Sequence, residues 1–215
     1  MLELNAISKQ YKKTTILAGV SYVFDIGINL VTGPSGVGKS TLLRLCATAE
    51  KPSAGNISWD NNNVWQSVHS FRQVLGYAPQ KIEFPVDLTA KEFMLHIGAL
   101  KGIKRKSAEV QVSSILDQLG LGQDIDKRIQ AYSGGMCRRL GLAQAFLGQP
   151  ECLVIDEPTA ELDPLTAKRV HSLILDTAKN AVVIMTTHLE QSLEGKYDRK
   201  LELNMPEGSS HAFGN

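Results

Sequence analysis

Residues 33–41 read Gly-Pro-Ser-Gly-Val-Gly-Lys-Ser-Thr, and this spacing suits a backbone curled around phosphate. Glycines let successive N–H groups point into one concavity that accepts anionic oxygens. Lys39 brings a cation for the outer phosphates of a nucleotide, and Ser40 a hydroxyl suited to Mg²⁺. A helix starting near Lys39 adds the positive end of its dipole. Downstream, the apolar run Leu153-Val154-Ile155 ends at Asp156-Glu157-Pro158. A carboxylate that closes such a strand emerges at the sheet's C-terminal edge, where α/β folds bind ligands. Asp156 can there hold Mg²⁺ through its water shell, and Glu157 can orient or deprotonate an attacking water. Between the two motifs lies Ser133-Gly134-Gly135-Met136, a serine followed by glycines at an apparent helix start.

The elements that must position these residues are visible as periodicity. Leu2, Leu4 and Ala6 alternate with polar residues, which predicts a half-buried strand, and Val20–Phe24 predicts a second, turned by Asp25-Ile26-Gly27. Ile28–Val31 reads as a buried strand running into the glycine loop, and Lys39–Ala49 as the helix behind it. Pro52 and Gly55 close that unit, and Asn56–Trp59 opens a hairpin turning over Asp60–Asn63. Thr89 is placed to cap a helix with Phe93, Leu95 and Ile97 in its core face. Lys101–Lys106 reads as a solvated basic loop, Glu109–Leu119 as a further helix closed by Gly120, and Met136–Leu147 as the helix behind the serine and glycines. Cys152–Ile155 and Val182–Met185 are strand candidates. The pattern predicts an α/β fold, a parallel-sheet core with an antiparallel β edge and an inserted α-helical lobe. The core is expected over residues 1–81 and 150–204, the lobe over 82–149 and a polar tail over 205–215.

Composition narrows the function classes. With 23 basic and 22 acidic residues among 215, bulk charge favours neither nucleic acid nor an anionic membrane. No apolar run approaches the roughly 20 residues of a membrane span, and the start lacks the pattern of a signal peptide. Cys46, Cys137 and Cys152 show neither metal-ligand nor disulfide spacing and are expected to be buried, reduced thiols. These features predict a cytosolic chain.

Taken together, the loop at 33–41, Ser133–Met136 and Leu153–Pro158 resemble the ATP-binding subunit of an ABC transporter, over nearly the whole chain from Leu2 to about Asn204. The resemblance implies a P-loop NTPase core of RecA-like type that binds ATP with Mg²⁺ and hydrolyses it. Gly33, Pro34, Ser35, Gly36, Val37, Gly38, Lys39, Ser40 and Thr41 would bind the phosphates, and Tyr11 would stack on adenine. Glu157, His188 and Gln80 would be catalytic, and Ser40, Gln80 and Asp156 would serve the metal. Ser133, Gly134, Gly135 and Met136 would meet the γ-phosphate held by a partner subunit, and Asp163 would lie in the D-loop. Tyr132, Met136 and Glu161 stand where the family more often has Leu, Gln and Gly, while Arg138-Arg139 fits its pattern. The implied partners are an integral membrane transporter subunit, which chooses the cargo, and a second copy or a homologous ATPase subunit, with no nucleic acid. Placement on the inner face of the plasma membrane follows, and the sequence around the signature is most similar to bacterial drug, antibiotic or peptide exporters. Two alternatives are a soluble ABC-type ATPase of DNA or ribosome metabolism, which would need a coiled-coil insertion or a second nucleotide core, and a non-hydrolysing half-site subunit. Lys39, Asp156, Glu157 and His188 are all present, which argues against the latter.

Overall fold

A computed structural model describes residues 1–187 and 197–205. Two sheets organise it. Strands β1 (Leu2–Tyr11), β2 (Thr14–Phe24), β4 (Ala54–Trp59) and β5 (Asn62–Asn63) form an antiparallel sheet in the order β2-β1-β4-β5. Strands β3 (Gly27–Thr32), β6 (Leu75–Ala78), β7 (Cys152–Ile155), β8 (Val182–Thr186) and β9 (Arg199–Glu202) form a parallel sheet in the order β6-β7-β8-β3-β9. The antiparallel strands thus make a sheet of their own, and helix α1 (Lys39–Cys46) packs between the two sheets.

Every residue of β3, β7 and β8 is buried, as expected of parallel strands covered on both faces. Alternation divides them between two cores. Val31, Cys152, Val154, Val182 and Ile184 face α1 and the antiparallel sheet. Ile28, Leu30, Leu153, Ile155, Val183 and Met185 face a helical layer built from α3 (Ala90–Leu100), α4 (Arg105–Gln118), α5 (Gly134–Phe146) and α6 (Pro164–Ala178). A short helix α2 (Val68–Val74) leads directly into β6.

Local chemistry sets the boundaries. Thr89 and Glu92 form a reciprocal capping box at the start of α3, satisfying two backbone donors that a helix start leaves open. Asp60 and Asn61 both take positive φ (47° and 64°), the geometry of a tight hairpin turn that Asn and Asp tolerate. Helix α1 closes at Cys46, short of the expected Ala49, because Thr48 turns left-handed (φ 52°). Strand β2 begins at Thr14, well before Val20.

Two expectations about burial, at Ala6 and Cys137, are corrected, while Phe93, Leu95 and Ile97 pack against the core as expected. The alternation Leu2-Leu4-Ala6 breaks at a bulge: Ala6 has φ 49°, the register with β2 and β4 shifts after Leu4 and Asn5, and Ile7 is buried while Ala6 is exposed. One extra residue reverses which side chains face inward. In α3, Met94 is fully buried, whereas Phe93, Leu95 and Ile97 are half-buried at its margin. Cys46 and Cys152 are buried as expected, but Cys137 is only partly so.

The basic stretch 101–106 is not wholly a solvated loop. Arg105 and Lys106 open α4, and Lys101 lies half-buried with its ammonium donating to the Leu147 carbonyl at 2.7 Å. Burial pushes the Lys101 ammonium down from the usual 10.5 to about 8. The unfolded chain therefore binds more protons than the folded one between those values, so Lys101 weighs against folding below pH about 8 and less as pH rises. The stability of Lys101→Met relative to the parent should accordingly be greater at pH 7 than at pH 10. A difference in melting temperature that stays constant across that range would contradict the buried charge.

Candidate functional site

Residues 33–38 join the end of β3 to the start of α1, whose first turn carries Lys39, Ser40 and Thr41 of the phosphate-loop motif. Gly38 stands at the N-cap of α1 with φ 109°, and a Cβ there would lie 2.9 Å from Ile16 Cγ2, so both conformation and space require glycine. The Lys39 ammonium folds back over the loop, donating to the carbonyls of Gly33 (2.7 Å) and Pro34 (3.0 Å). Ser40 is half-buried beside it, and Thr41, buried, accepts from Arg44 Nη2 at 3.0 Å.

Strand order decides what faces this loop. β8 lies between β3 and β7, so Asp156 and Glu157, just past β7, are two strand spacings from the loop's root, about 10 Å. That gap is wide enough for a terminal phosphate, a hydrated cation and a water. Thr186, the last residue of β8, fills its floor. Its hydroxyl donates to Asp156 Oδ1 at 2.5 Å and accepts from the Glu157 N–H at 3.0 Å. Asp156 is buried, and Glu157 takes positive φ (51°), a conformation that a non-glycine residue keeps only when its surroundings enforce it.

The enforcement comes from α5. Arg138 Nη1 donates to the carbonyls of Pro79 (3.0 Å) and Gln80 (2.9 Å), and Nη2 to those of Asp156 (3.0 Å) and Glu157 (2.5 Å). One guanidinium thereby satisfies four backbone acceptors at the ends of β6 and β7. Its burial pulls the Arg138 pKa down, against the pull of Glu161, Asp156 and Glu157. Gln80 is held in the same frame, with its amide nitrogen 3.5 Å from a Glu157 carboxylate oxygen.

Ser133 caps α5 by accepting the Met136 N–H at 3.3 Å. Ser133, Gly134 and Gly135 are exposed, whereas Met136 packs partly buried on the helical core, an apolar role for a position where glutamine is commoner. Tyr132 is buried and donates to the Asp124 carbonyl at 2.8 Å. A Cβ added at Gly134 or Gly135 would meet nothing within 4 Å. Among the described residues no hydrogen bond or ion pair joins residues 133–136 to the phosphate loop. Asp163 caps α6 through Leu165 N (3.1 Å) and Thr166 N (3.0 Å), and those bonds from Thr166 and Leu165 hold its carboxyl low. Glu161, exposed, takes φ 63°. Tyr11 sits at the hairpin tip joining β1 to β2, its ring partly exposed and its hydroxyl on Glu50. His188 lies outside the described residues.

The structure therefore gathers the loop, Asp156, Glu157 and Gln80 at one sheet edge, while Gly134 shares a groove with Gln80 and, among the described residues, Ser133–Gly135 makes no hydrogen bond to the loop. No role for Thr186 was read in the sequence, although it lies ahead of His188 at the end of an apolar run. A hydroxyl at the C-terminal end of a buried strand is the same signal that marked Asp156.

The arrangement fits a nucleotide with Mg²⁺. Ser40, Asp156 and Gln80 offer hard oxygen donors, yet among the described residues no cluster of three or more His, Cys, Asp or Glu exists to hold a metal alone. A Mg²⁺ site of this kind draws its remaining ligands from phosphate and water.

A parallel sheet ending in a glycine-rich phosphate loop, with an acidic strand end beyond an intervening strand, defines a P-loop NTPase of RecA-like type. Residues 25–160 match the ABC transporter family, and the chain belongs to it. It is 32% identical over 205 residues to the linearmycin resistance ATP-binding protein of Bacillus subtilis, covering 93% of this chain and 65% of that one. It is 35% identical over 205 residues to the lipoprotein-releasing system ATP-binding protein of Legionella pneumophila, covering 92% and 89%. The chain thus spans about two thirds of the Bacillus relative's length. A solved ATP-binding cassette, in a dimeric post-hydrolysis state bound to ADP and Pi, shares the fold at a TM-score of 0.85 and 23% identity, covering 95% of this chain and 94% of that one.

Thr186→Val tests the floor of the gap. The change is close in shape but strands the buried Asp156 carboxylate and the Glu157 N–H, so it should cost about 1–3 kcal/mol in denaturant unfolding. Thr186→Ser should recover most of that loss. Equal stability of the valine variant and the parent would show that these bonds hold nothing.

Proposed function

We propose that this chain binds ATP with Mg²⁺ and hydrolyses it as the motor subunit of a membrane transporter of bacterial exporter type. Two copies, or this chain and a homologous ATPase subunit, meet head to tail. Each supplies loop 33–41 to one ATP and Ser133–Gly135 to the other. What supports this reading above all is the bare glycine pair at the start of α5: a Cβ at Gly134 or Gly135 would touch nothing in its own chain. Glycines with no internal reason to be glycine suit a close approach from outside, and an exposed, serine-capped helix start suits an anion.

Within one site, Lys39 leaves the Gly33 and Pro34 carbonyls and turns its ammonium to the β- and γ-phosphates. Mg²⁺, when bound, neutralises charge on the phosphates and fixes their geometry. Ser40, Asp156 and Gln80 would be the residues that hold it. Glu157 orients the attacking water and takes its proton at a carboxylate oxygen, and His188 meets the γ-phosphate. Tyr11 stacks on the base, and Asp163 lies at the copy-to-copy interface. Loss of the γ-phosphate removes the bridge between copies and lets them part, a ligand-controlled two-state switch. Residues 82–149 act as a helical lobe that turns on the core, and the groove beside Gln80–Phe84 receives a cytoplasmic segment of the membrane subunit. No helix among the described residues is long and apolar enough to cross a membrane. We place the chain on the cytoplasmic face of the plasma membrane, held there by that subunit. The names of the Bacillus and Legionella relatives, in linearmycin resistance and lipoprotein release, favour an exporter.

Gly135→Asp separates the two halves of the site. It meets open space, so the isolated chain should fold and bind ATP like the parent, yet hydrolysis should collapse because the carboxylate faces the partner's γ-phosphate. Lys39→Ala should abolish hydrolysis by weakening binding itself. Mixing the two variants gathers both lesions in one composite site and spares the other, so part of the ATPase activity should return. A Gly135→Asp chain that loses ATP binding on its own would sink the shared-site reading.

A further inference from the structure

Tyr11 is fixed along its backbone by the two-residue turn that pairs it with Thr14, but that turn does not orient its ring. A compact charged cluster does. The Tyr11 hydroxyl donates to Glu50 Oε2, whose carboxylate also accepts from Arg44 Nε at 2.6 Å and from Lys9 Nζ at 3.1 Å. Arg44 extends the brace, reaching the Tyr11 hydroxyl at 3.4 Å and Thr41, the last residue of the phosphate loop, at 3.0 Å. Lys9 is itself anchored on the Lys51 carbonyl at 2.8 Å, and its ammonium lies over the Tyr11 ring, 5.0 Å from the centroid. One face of the ring is therefore covered by a cation, which leaves the other for a base.

We propose that Glu50 is a positioning residue for nucleotide binding: braced by Arg44, its carboxylate holds the Tyr11 phenol so that the ring's open face meets the base of a nucleotide seated on loop 33–41. Glu50 can act this way only if Tyr11 is the base platform proposed above. The physical basis is pre-organisation. A tyrosine at a hairpin tip loses rotamer freedom when a base stacks on it, and a ring already held spares the complex that cost. Glu50 is also the one carboxylate between two cations, Lys9 and Arg44, so a neutral replacement sets those cations against each other and frees the ring. Burial alone would push the Glu50 carboxyl up, but the bonds from Tyr11, Lys9 and Arg44 outweigh it and keep the group ionised. Because Arg44 also bonds Thr41, the platform and the phosphate loop share one support, which sets the base's place relative to the phosphates.

The test compares a ligand that has a base with one that lacks it, using ADP and inorganic diphosphate with Mg²⁺ so that nothing is turned over. Glu50→Ala and Tyr11→Phe, the latter removing only the hydroxyl, should each weaken ADP binding about three- to tenfold. The double variant should be little weaker than either single one, since both remove the same contact. Diphosphate affinity should stay within about twofold throughout. Glu50→Ala weakening diphosphate as much as ADP would overturn the proposal, because Glu50 would then serve the phosphate loop. Additive losses in the double variant would also overturn it. Tyr11→Phe perturbs the fold least and carries the test alone if Glu50→Ala does not fold: unchanged ADP affinity in that variant refutes the role of the hydroxyl. Tyr11→Ala distinguishes the two levels. If it weakens ADP while Glu50→Ala does not, stacking stands and positioning falls; if it leaves ADP unchanged, the base platform itself falls.

Discussion

The Arg138 guanidinium is the interaction on which the rest of this site depends. Where β6 and β7 end, their backbone carbonyls lose the ladder that satisfied them, and buried acceptors without donors are costly. Arg138 donates to four carbonyls there, at Pro79, Gln80, Asp156 and Glu157, the last of which also accepts from the Ala160 N–H at 3.2 Å. Glu157 is thereby gripped from both sides, its carbonyl by Arg138 and its N–H by Thr186, which keeps it at a φ it would not otherwise choose. The guanidinium comes from α5, the helix that Ser133 caps. The residues expected to act on this chain's own nucleotide are thus fastened to the helix expected to touch its neighbour's.

Much of this could be read in the sequence, for reasons that differ by residue. The strands β3 and β7 were legible because parallel strands covered on both faces are mostly apolar, with Asn29 among the buried exceptions in β3, and Asp156 stands out at the end of the wholly apolar β7. The capping box at Thr89 and Glu92 was half legible: the cap was predicted, and its reciprocal partner emerged in three dimensions. Ala6 was misread because the bulge at this point inserts one residue that the alternation of Leu2 and Leu4 does not announce, and Ile7 turns inward in its place. Met94 was passed over in favour of its larger neighbours, since periodicity ranks a helix's faces but not which one meets the densest packing. Arg138, Thr186 and Glu50 act through contacts made 18 or more residues away in sequence, apart from the Arg44–Glu50 pair, and spacing is silent about such contacts.

The glycines carry a further distinction. Gly38 is required by its own chain, which gives it a left-handed backbone and no room for a side chain. Gly134 and Gly135 are not, since open space surrounds both. One type of residue thus serves folding in the phosphate loop and leaves a surface bare in the signature. Asp163 combines both features: its carboxylate caps α6 from within its own chain, and the residue is exposed.

Completion of each nucleotide by a second copy, as proposed, is tested most directly by blocking turnover. Glu157→Gln keeps the shape of the site and removes the proposed proton acceptor, so ATP should persist once bound. Its mass in solution, measured by light scattering after size exclusion, should be that of a monomer with ADP and Mg²⁺ and that of a dimer with ATP and Mg²⁺. A Glu157→Gln chain that binds ATP yet remains a monomer at every concentration measured would contradict the claim.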